Sequence, residues 1–401
     1  MAAYDAFLLL SFGGPEGPDD VLPFLENVTR GRGVPQERLA EVAEHYYAFG
    51  GVSPINAQCR DMLNGIGAEF ASEGIALPLY WGNRNWQPFI EDTVRQMKAD
   101  GVGHAIAFAT SAYGSYSACR QYLEDIDRAV AAVGPGAPRI DKIRPYFNHP
   151  GFIEPFAASV EAALAGLPAG AQTNPRLVFT AHSVPVGMAA SSGSVSKGTA
   201  QGTAGGNRSP RGGSQGGSGG DRSPRGGTAP GVAGGRYAAE LREASRLIAE
   251  RVRGGTLPFD LVFQSRSGPP STPWLEPDVN DHLAALAKGS LTSGEPLPDG
   301  PPSGVVVVPV GFVSDHMEVV HDLDVEAAGT AASLGLPFAR AKAPGQSPRF
   351  AAMVRELVAE RLSGASPQAL GDFGLGAFAG GAQGCPADCC RYTPSRPGRP
   401  S

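Results

Sequence analysis

The chain has 401 residues, an apolar fraction of 42% and a formal net charge of −6. That length can hold two domains with real cores, and the acidic balance points away from nucleic acid. No apolar run reaches the roughly 18 residues of a membrane span, and the N-terminus reads as a strand rather than a signal peptide, so a soluble cytoplasmic protein is expected.

Ala6-Phe-Leu-Leu-Leu-Ser-Phe12 is an apolar run closed by Gly13-Gly14-Pro15, which predicts a buried parallel strand feeding a tight turn. The G-x-G-x-x-G spacing is missing, which excludes a dinucleotide fingerprint. Arg30 and Arg32 follow on a glycine-rich loop. Two guanidinium groups on flexible backbone suit carboxylate or phosphate capture, although a solvated basic loop fits the same residues. Helices are expected over Glu37–Phe49 and from Val52 onward, and Cys59 lies on the apolar stripe of the second as a buried thiol.

Strands are expected at Leu77–Trp81, Ala105–Ala109 and Ile140–Phe147, with helices between them. A helix from about Ser115 puts Cys119 and Tyr122 near a strand end. Strands alternating with helices predict an α/β fold with doubly wound parallel sheets. Leu177-Val-Phe-Thr-Ala-His-Ser-Val-Pro185 is a buried strand that delivers His182 where it stops. Ligands of open α/β sheets bind beyond the carboxyl ends of the strands. A histidine there can be a base or a metal ligand, though a lone histidine also fits a core position satisfied by a carbonyl.

Residues 189–235 are Gly, Ser, Thr, Pro and Arg with almost no large apolar side chain, so an unfolded insert is expected there. Phe259–Gln264 and Val305–Phe312 are the next strands. After them, Glu318, Asp322 and Glu326 recur at i, i+4 and i+8. On a helix such like charges repel by a few tenths of a kcal/mol per pair, roughly. The ladder is therefore either a solvated acidic face or a run of oxygens that serves cations or protons. Near the end, Cys385, Cys389 and Cys390 crowd together. In a reducing compartment such thiols suggest a metal or iron–sulfur site completed from elsewhere.

The ordered motifs LLLSFGGPEGPDDVLPFLENVTRGRG, FGGVSPIN, VFTAHSVP, FQSRSGPPSTPWLEPD and VPVGFVSDHMEVVHDLDVE closely resemble the ferrochelatase family, above all its coproporphyrin branch in monoderm bacteria. The resemblance covers residues 4–362 apart from the insert. It implies two Rossmann-like lobes enclosing a porphyrin cleft. These are an N-terminal lobe at 1–165 and a C-terminal lobe at 166–345 that carries the insert at 189–235. A C-terminal helix at 346–365 and a linker with a cysteine-rich tail at 366–401 follow.

The implied reaction is insertion of Fe²⁺, a substrate, into coproporphyrin III to give coproheme. Protoporphyrin IX, a Co²⁺ or Ni²⁺ tetrapyrrole chelatase and a non-catalytic haem-binding protein are the alternatives. By resemblance, His182 and Glu318 bind the iron and take up pyrrole protons, with the division of roles open. Asp322 and Glu326 match an acidic path to the surface. Ser53 and Tyr122 match positions that contact the tetrapyrrole, and Arg30 and Arg32 match a loop facing its propionates. Phe12, Asn85 and His45 stand where some relatives carry Tyr, His and Arg, which removes a phenolate, an outer histidine and a guanidinium. Some members hold a [2Fe–2S] cluster, and Cys119, Cys385, Cys389 and Cys390 fit its one-plus-three layout. A monomer, with a downstream haem-synthesis enzyme as a partner, is expected.

Overall fold

The computed structural model describes residues 4–31, 33–193, 235–267, 271–371 and 389–392. Two parallel four-stranded sheets with the same winding form the chain's framework. Strands β1 (Ala6–Ser11), β2 (Leu79–Asn83), β3 (His104–Ala109) and β4 (Arg139–Lys142) pair in the order β2-β1-β3-β4. Strands β5 (Pro175–His182), β6 (Phe259–Gln264), β7 (Gly304–Val308) and β8 (Phe338–Arg340) repeat it as β6-β5-β7-β8. Every residue of β1 and of β7 is buried, as parallel strands covered on both faces require. The α/β doubly wound architecture expected from the alternating elements is the one found.

Helices α1 (Pro18–Val28), α2 (Gln36–Tyr47) and α3 (Ile55–Ser72) follow β1. Helices α4 (Ile90–Ala99) and α5 (Gln121–Val133) cover the outer face of the first sheet, packing Val94, Met97 and Ile126 on Leu8 and Ala107. Helix α6 (Pro150–Gly166) leaves the first lobe and packs on β7 and β8 of the second sheet. The last helix, Pro348–Leu362, returns to lie across α3 and α6. One apolar core therefore runs from Phe7 and Phe108 through Phe152 and Phe350 to Phe179 and Val306. These exchanged helices fix the spacing of the two crevices at the strand ends.

The strand expected over Ile140–Phe147 pairs only as far as Lys142. Pro145 has no N–H to continue a ladder, and the Tyr146 and Phe147 amides both turn to the Ala112 carbonyl.

At the opposite, amino end of the second sheet, Asp260 is buried between Arg176 (Nη2 to Oδ1, 2.9 Å) and His282 (Nε2 to Oδ2, 3.0 Å). Burial alone would push this carboxyl up. The hydrogen bonds and charges of Arg176 and His282 outweigh it and hold the group below its usual 3.8. A depressed carboxylate stabilises the fold above its unfolded value, and that contribution is lost as pH falls through the folded value. The gap in melting temperature between the wild type and Asp260→Asn, wide at pH 6, is expected to close below about pH 4. A gap of constant width in a series of thermal melts would contradict this.

Candidate active site and cysteine site

His182 is the last residue of β5, in register with Gln264 of β6. The backbone just beyond it is clamped. The Ser183 amide donates to the Gln264 carbonyl at 2.8 Å, and its hydroxyl donates to the Leu275 carbonyl at 2.9 Å. The Ser183 carbonyl is thus fixed, and His182 Nδ1 lies 2.5 Å from it. A carbonyl can only accept, so Nδ1 carries the proton and Nε2 presents its lone pair. Nε2 stands 3.6 Å from Glu318 Oε2. Two lone-pair atoms at that separation call for a proton or a cation between them. With side chains 33% and 47% exposed, the pair is reachable from solvent.

Glu318 is held by its neighbours. Met317 packs with Phe24, Leu25 and Tyr46 in the small core between α1 and α2. That hairpin is therefore pinned beside Glu318, and the cleft between them is lined by Phe12, Phe24, Val28, Val42, His45, Tyr46, His321 and Asp322. Behind the pair, His316 Nδ1 is 3.9 Å from Glu318 Oε2. Burial, partly offset by Glu318, lowers the pKa of His316.

The acidic ladder does not sit on a regular α-helix. Met317–Val319 is one α-turn and Val320–Ala327 is π-helical. π-Helical turns are rare and concentrate at functional sites. Asp322 is the most constrained of the three. It accepts from the Ser265 hydroxyl and, at 3.4 Å, from Gln264 Nε2. Ser265 itself is in the left-handed region at φ 60°, a conformation that costs energy for a residue with a Cβ. Burial is the largest influence on Asp322, and Glu318 and Glu326 add to it, so its carboxyl is pushed up to about 6.

His321 escaped the sequence reading. One ligand atom from each of His321, Asp322 and Glu326 lies within 4.8 Å of the others. Its ring stacks on His45 with centroids 3.8 Å apart. Its place inside the acidic stretch was the available signal. Burial, then the nearby His321, lowers the pKa of His45.

The other sequence candidates are spread more widely. Ser53 is buried under the first crevice, where its side chain meets Gly14 so closely that a Cβ there would lie 2.7 Å away. Tyr122 is buried on the outer side of the first sheet, with the Arg84 guanidinium 4.3 Å over its ring. Arg30 is exposed on the loop after α1, and Arg32 lies outside the described residues. Asn85 is buried, and its carbonyl accepts from Asn27 Nδ2 at 2.8 Å. Cys59 is a core thiol that donates to Ser11 Oγ, with its pKa pushed by burial to about 11.

Two of the cysteines lie together at a second place. Cys389 and Cys390 are buried, with Sγ atoms 3.5 Å apart. Cys390 Sγ accepts the Gly193 N–H at 3.2 Å. Residues 389–392 are seated by Tyr392, whose ring centroid is 6.2 Å from that of Tyr116. Tyr116 opens the π-helical turn Tyr116–Arg120, which carries buried Cys119. The Cys389 contact is the strongest influence pushing the Cys390 thiol up, followed by burial, and Cys119 adds to both. Cys389 and Cys390 thus sit side by side, with Cys119 near enough to act on the Cys390 thiol, while Cys385 lies outside the described residues. An adjacent pair of buried sulfurs with a backbone N–H on one of them has the chemistry to hold a thiolate-bound metal centre, whose charge would make such thiols ionise.

A sequence model of the ferrochelatase family matches residues 4–362. A Nocardia farcinica protein named coproporphyrin III ferrochelatase is 50% identical over 389 residues, covering 97% of each chain. A Streptomyces griseus protein of the same name is 46% identical over 406 residues, covering 100% of this chain and 96% of that one. A Rhodopirellula baltica protein named ferrochelatase is 45% identical over 402 residues, covering 99% of this chain and 97% of that one.

Proposed function

The chain belongs to the ferrochelatase family, and from that premise we propose that it inserts ferrous iron into coproporphyrin III to give coproheme in haem biosynthesis. The observation that carries the reading is the His182 Nε2–Glu318 Oε2 separation of 3.6 Å at the mouth of the cleft, with both side chains open to solvent.

Insertion replaces two pyrrole protons with one Fe²⁺, so each turnover releases two protons. The site needs a group that offers iron to the ring and a group that takes protons from the same face. His182 Nε2 offers a neutral lone pair to the metal, and Glu318 can ligate or accept a proton. Asp322 and Glu326 continue away from Glu318 and serve as the path for iron or departing protons. With its carboxyl at about 6, Asp322 can exchange a proton near neutral pH. The apolar wall of Phe12, Phe24 and Val28 faces the macrocycle. Arg30 and Arg32 grip propionates, and Ser53 and Tyr122 are the further positions assigned to tetrapyrrole contact.

Cys119, Cys385, Cys389 and Cys390 hold a [2Fe–2S] cluster outside the reaction. When bound, it would supply a rigid tie between the tail and the start of α5. The protein works as a cytoplasmic monomer that passes its product to a downstream haem-synthesis enzyme. No helix among the described residues is long and apolar enough to cross a membrane.

Substrate choice is tested by anaerobic Fe²⁺ insertion, comparing coproporphyrin III with protoporphyrin IX by their Soret bands. A kcat/KM at least tenfold higher for coproporphyrin III is expected. Preference for protoporphyrin IX would keep the chemistry and overturn the substrate assignment.

A further inference from the structure

The cysteine site and His182 are joined by a short run of hydrogen bonds that passes from the end of α7 (Val186–Ser191) through α8 (Gly235–Ala249). Cys390 Sγ accepts from the Gly193 amide at 3.2 Å. The neighbouring Ser192 hydroxyl accepts from the Tyr237 amide at 2.8 Å. The Tyr237 hydroxyl then donates to the His182 carbonyl at 3.1 Å. Tyr237 and Ser192 are both buried, so solvent does not compete for the bond between them, while the bonds at either end are partly buried.

The next turn of α8 reaches the other side of the cysteine site. Fully buried Glu240 accepts from the Gly114 amide at 2.7 Å and is paired with Arg236. Gly114 belongs to the loop that leads into the turn carrying Cys119. Beside it, Tyr113 sets its ring edge-on to Tyr237 at 6.2 Å and donates to the Val310 carbonyl at 2.7 Å. Val310 lies beyond β7, on the approach to Glu318. The first turns of α8 therefore contact the backbone leading to both members of the iron-facing pair and both halves of the cysteine site.

We propose that Tyr237 is a positioning residue for iron insertion. It joins the cysteine site to the backbone of His182, so that filling the cysteine site sets the orientation of the iron-facing imidazole. The inference rests on the proposed cluster and gives it a role, although the cluster takes no part in the chemistry. The Tyr237 hydroxyl fixes the carbonyl of His182 while Ser183 fixes its ring. A shift of Gly193 when the sulfurs are released would be passed through Ser192 to Tyr237.

The test compares full-length wild type, Tyr237→Phe, Cys390→Ser and the double variant. Tyr237→Phe keeps the ring against Tyr113 and removes only the hydroxyl. The first readout is the ¹⁵N signal of the His182 ring, identified by its loss in His182→Gln, with the cluster oxidised. The second is kcat against porphyrin KM, and the third is visible absorption of the cluster. Tyr237→Phe is expected to keep the cluster absorption and the porphyrin KM. It should move the His182 signal and lower kcat roughly threefold to tenfold, the effect of one lost hydrogen bond. Cys390→Ser should move the same signal, and adding Tyr237→Phe to it should move it little further, as coupled residues do. An unmoved His182 signal in Tyr237→Phe, or additive shifts in the double variant, would overturn the proposal. Wild type without cluster absorption would overturn the cluster itself. In that protein an unmoved signal would still reject positioning by Tyr237.

Discussion

His182→Ala is expected to lower kcat for iron insertion by about 10²–10⁴-fold while leaving porphyrin affinity nearly unchanged. The ring is a third exposed at the end of β5 and packs in none of the apolar clusters, so its loss opens no core cavity. What disappears is the Nε2 lone pair that faces Glu318 at 3.6 Å. Glu318→Gln should give a loss of the same order by a different route, because the shape remains and the charge goes. Losses from two groups that act as a unit are not additive. The double variant should therefore be little slower than the worse single one. Porphyrin fluorescence titrations and anaerobic rates on the same preparations would check this. Weakened porphyrin binding with kcat intact would show that the pair holds the ring rather than the metal.

Replacing any one of Cys119, Cys385, Cys389 and Cys390 by serine is expected to abolish the visible absorption of a [2Fe–2S] centre. Cys59→Ser should keep it. The reason is spatial: Cys59 is turned into the first-lobe core against Ser11, away from the other thiols. Thiolate ligation couples directly to folding energy. Loss of the cluster should therefore lower the melting temperature by several degrees, on the order of 1–2 kcal/mol for a chain of this size. Absorption and iron content that survive Cys385→Ser would reject the four-cysteine assignment. Survival in Cys119→Ser would instead place the centre within the tail alone.

The two sheets were legible because parallel strands buried on both faces must be almost wholly apolar. The runs at Ala6–Ser11, Leu177–Ala181 and Val305–Val308 could be little else. His182 was legible as a strand-end residue, and Glu318 as the start of an acidic series. Their meeting at 3.6 Å was not, since it depends on how two separate strand ends converge. The π-helical form of Val320–Ala327 was also hidden. One acidic residue at every fourth position reads as an α-helix, and only the hydrogen-bond ladder distinguishes the wider coil. Burial of Tyr122 under Arg84 escaped for a similar reason. Helical spacing gives the face of a residue but not which sheet face it meets. Cysteine count and compartment suggest a tail site completed from elsewhere, and only the family resemblance points to Cys119, since no periodicity in the tail specifies it.

The most direct measurement is the identity of the product formed when the full chain meets coproporphyrin III and Fe²⁺ without oxygen. The account predicts catalytic accumulation of a species whose mass is that of coproporphyrin III plus iron minus two hydrogens, with the Soret band of coproheme, and none with His182→Ala. Folded wild-type protein that binds coproporphyrin III tightly and leaves it metal-free would contradict it.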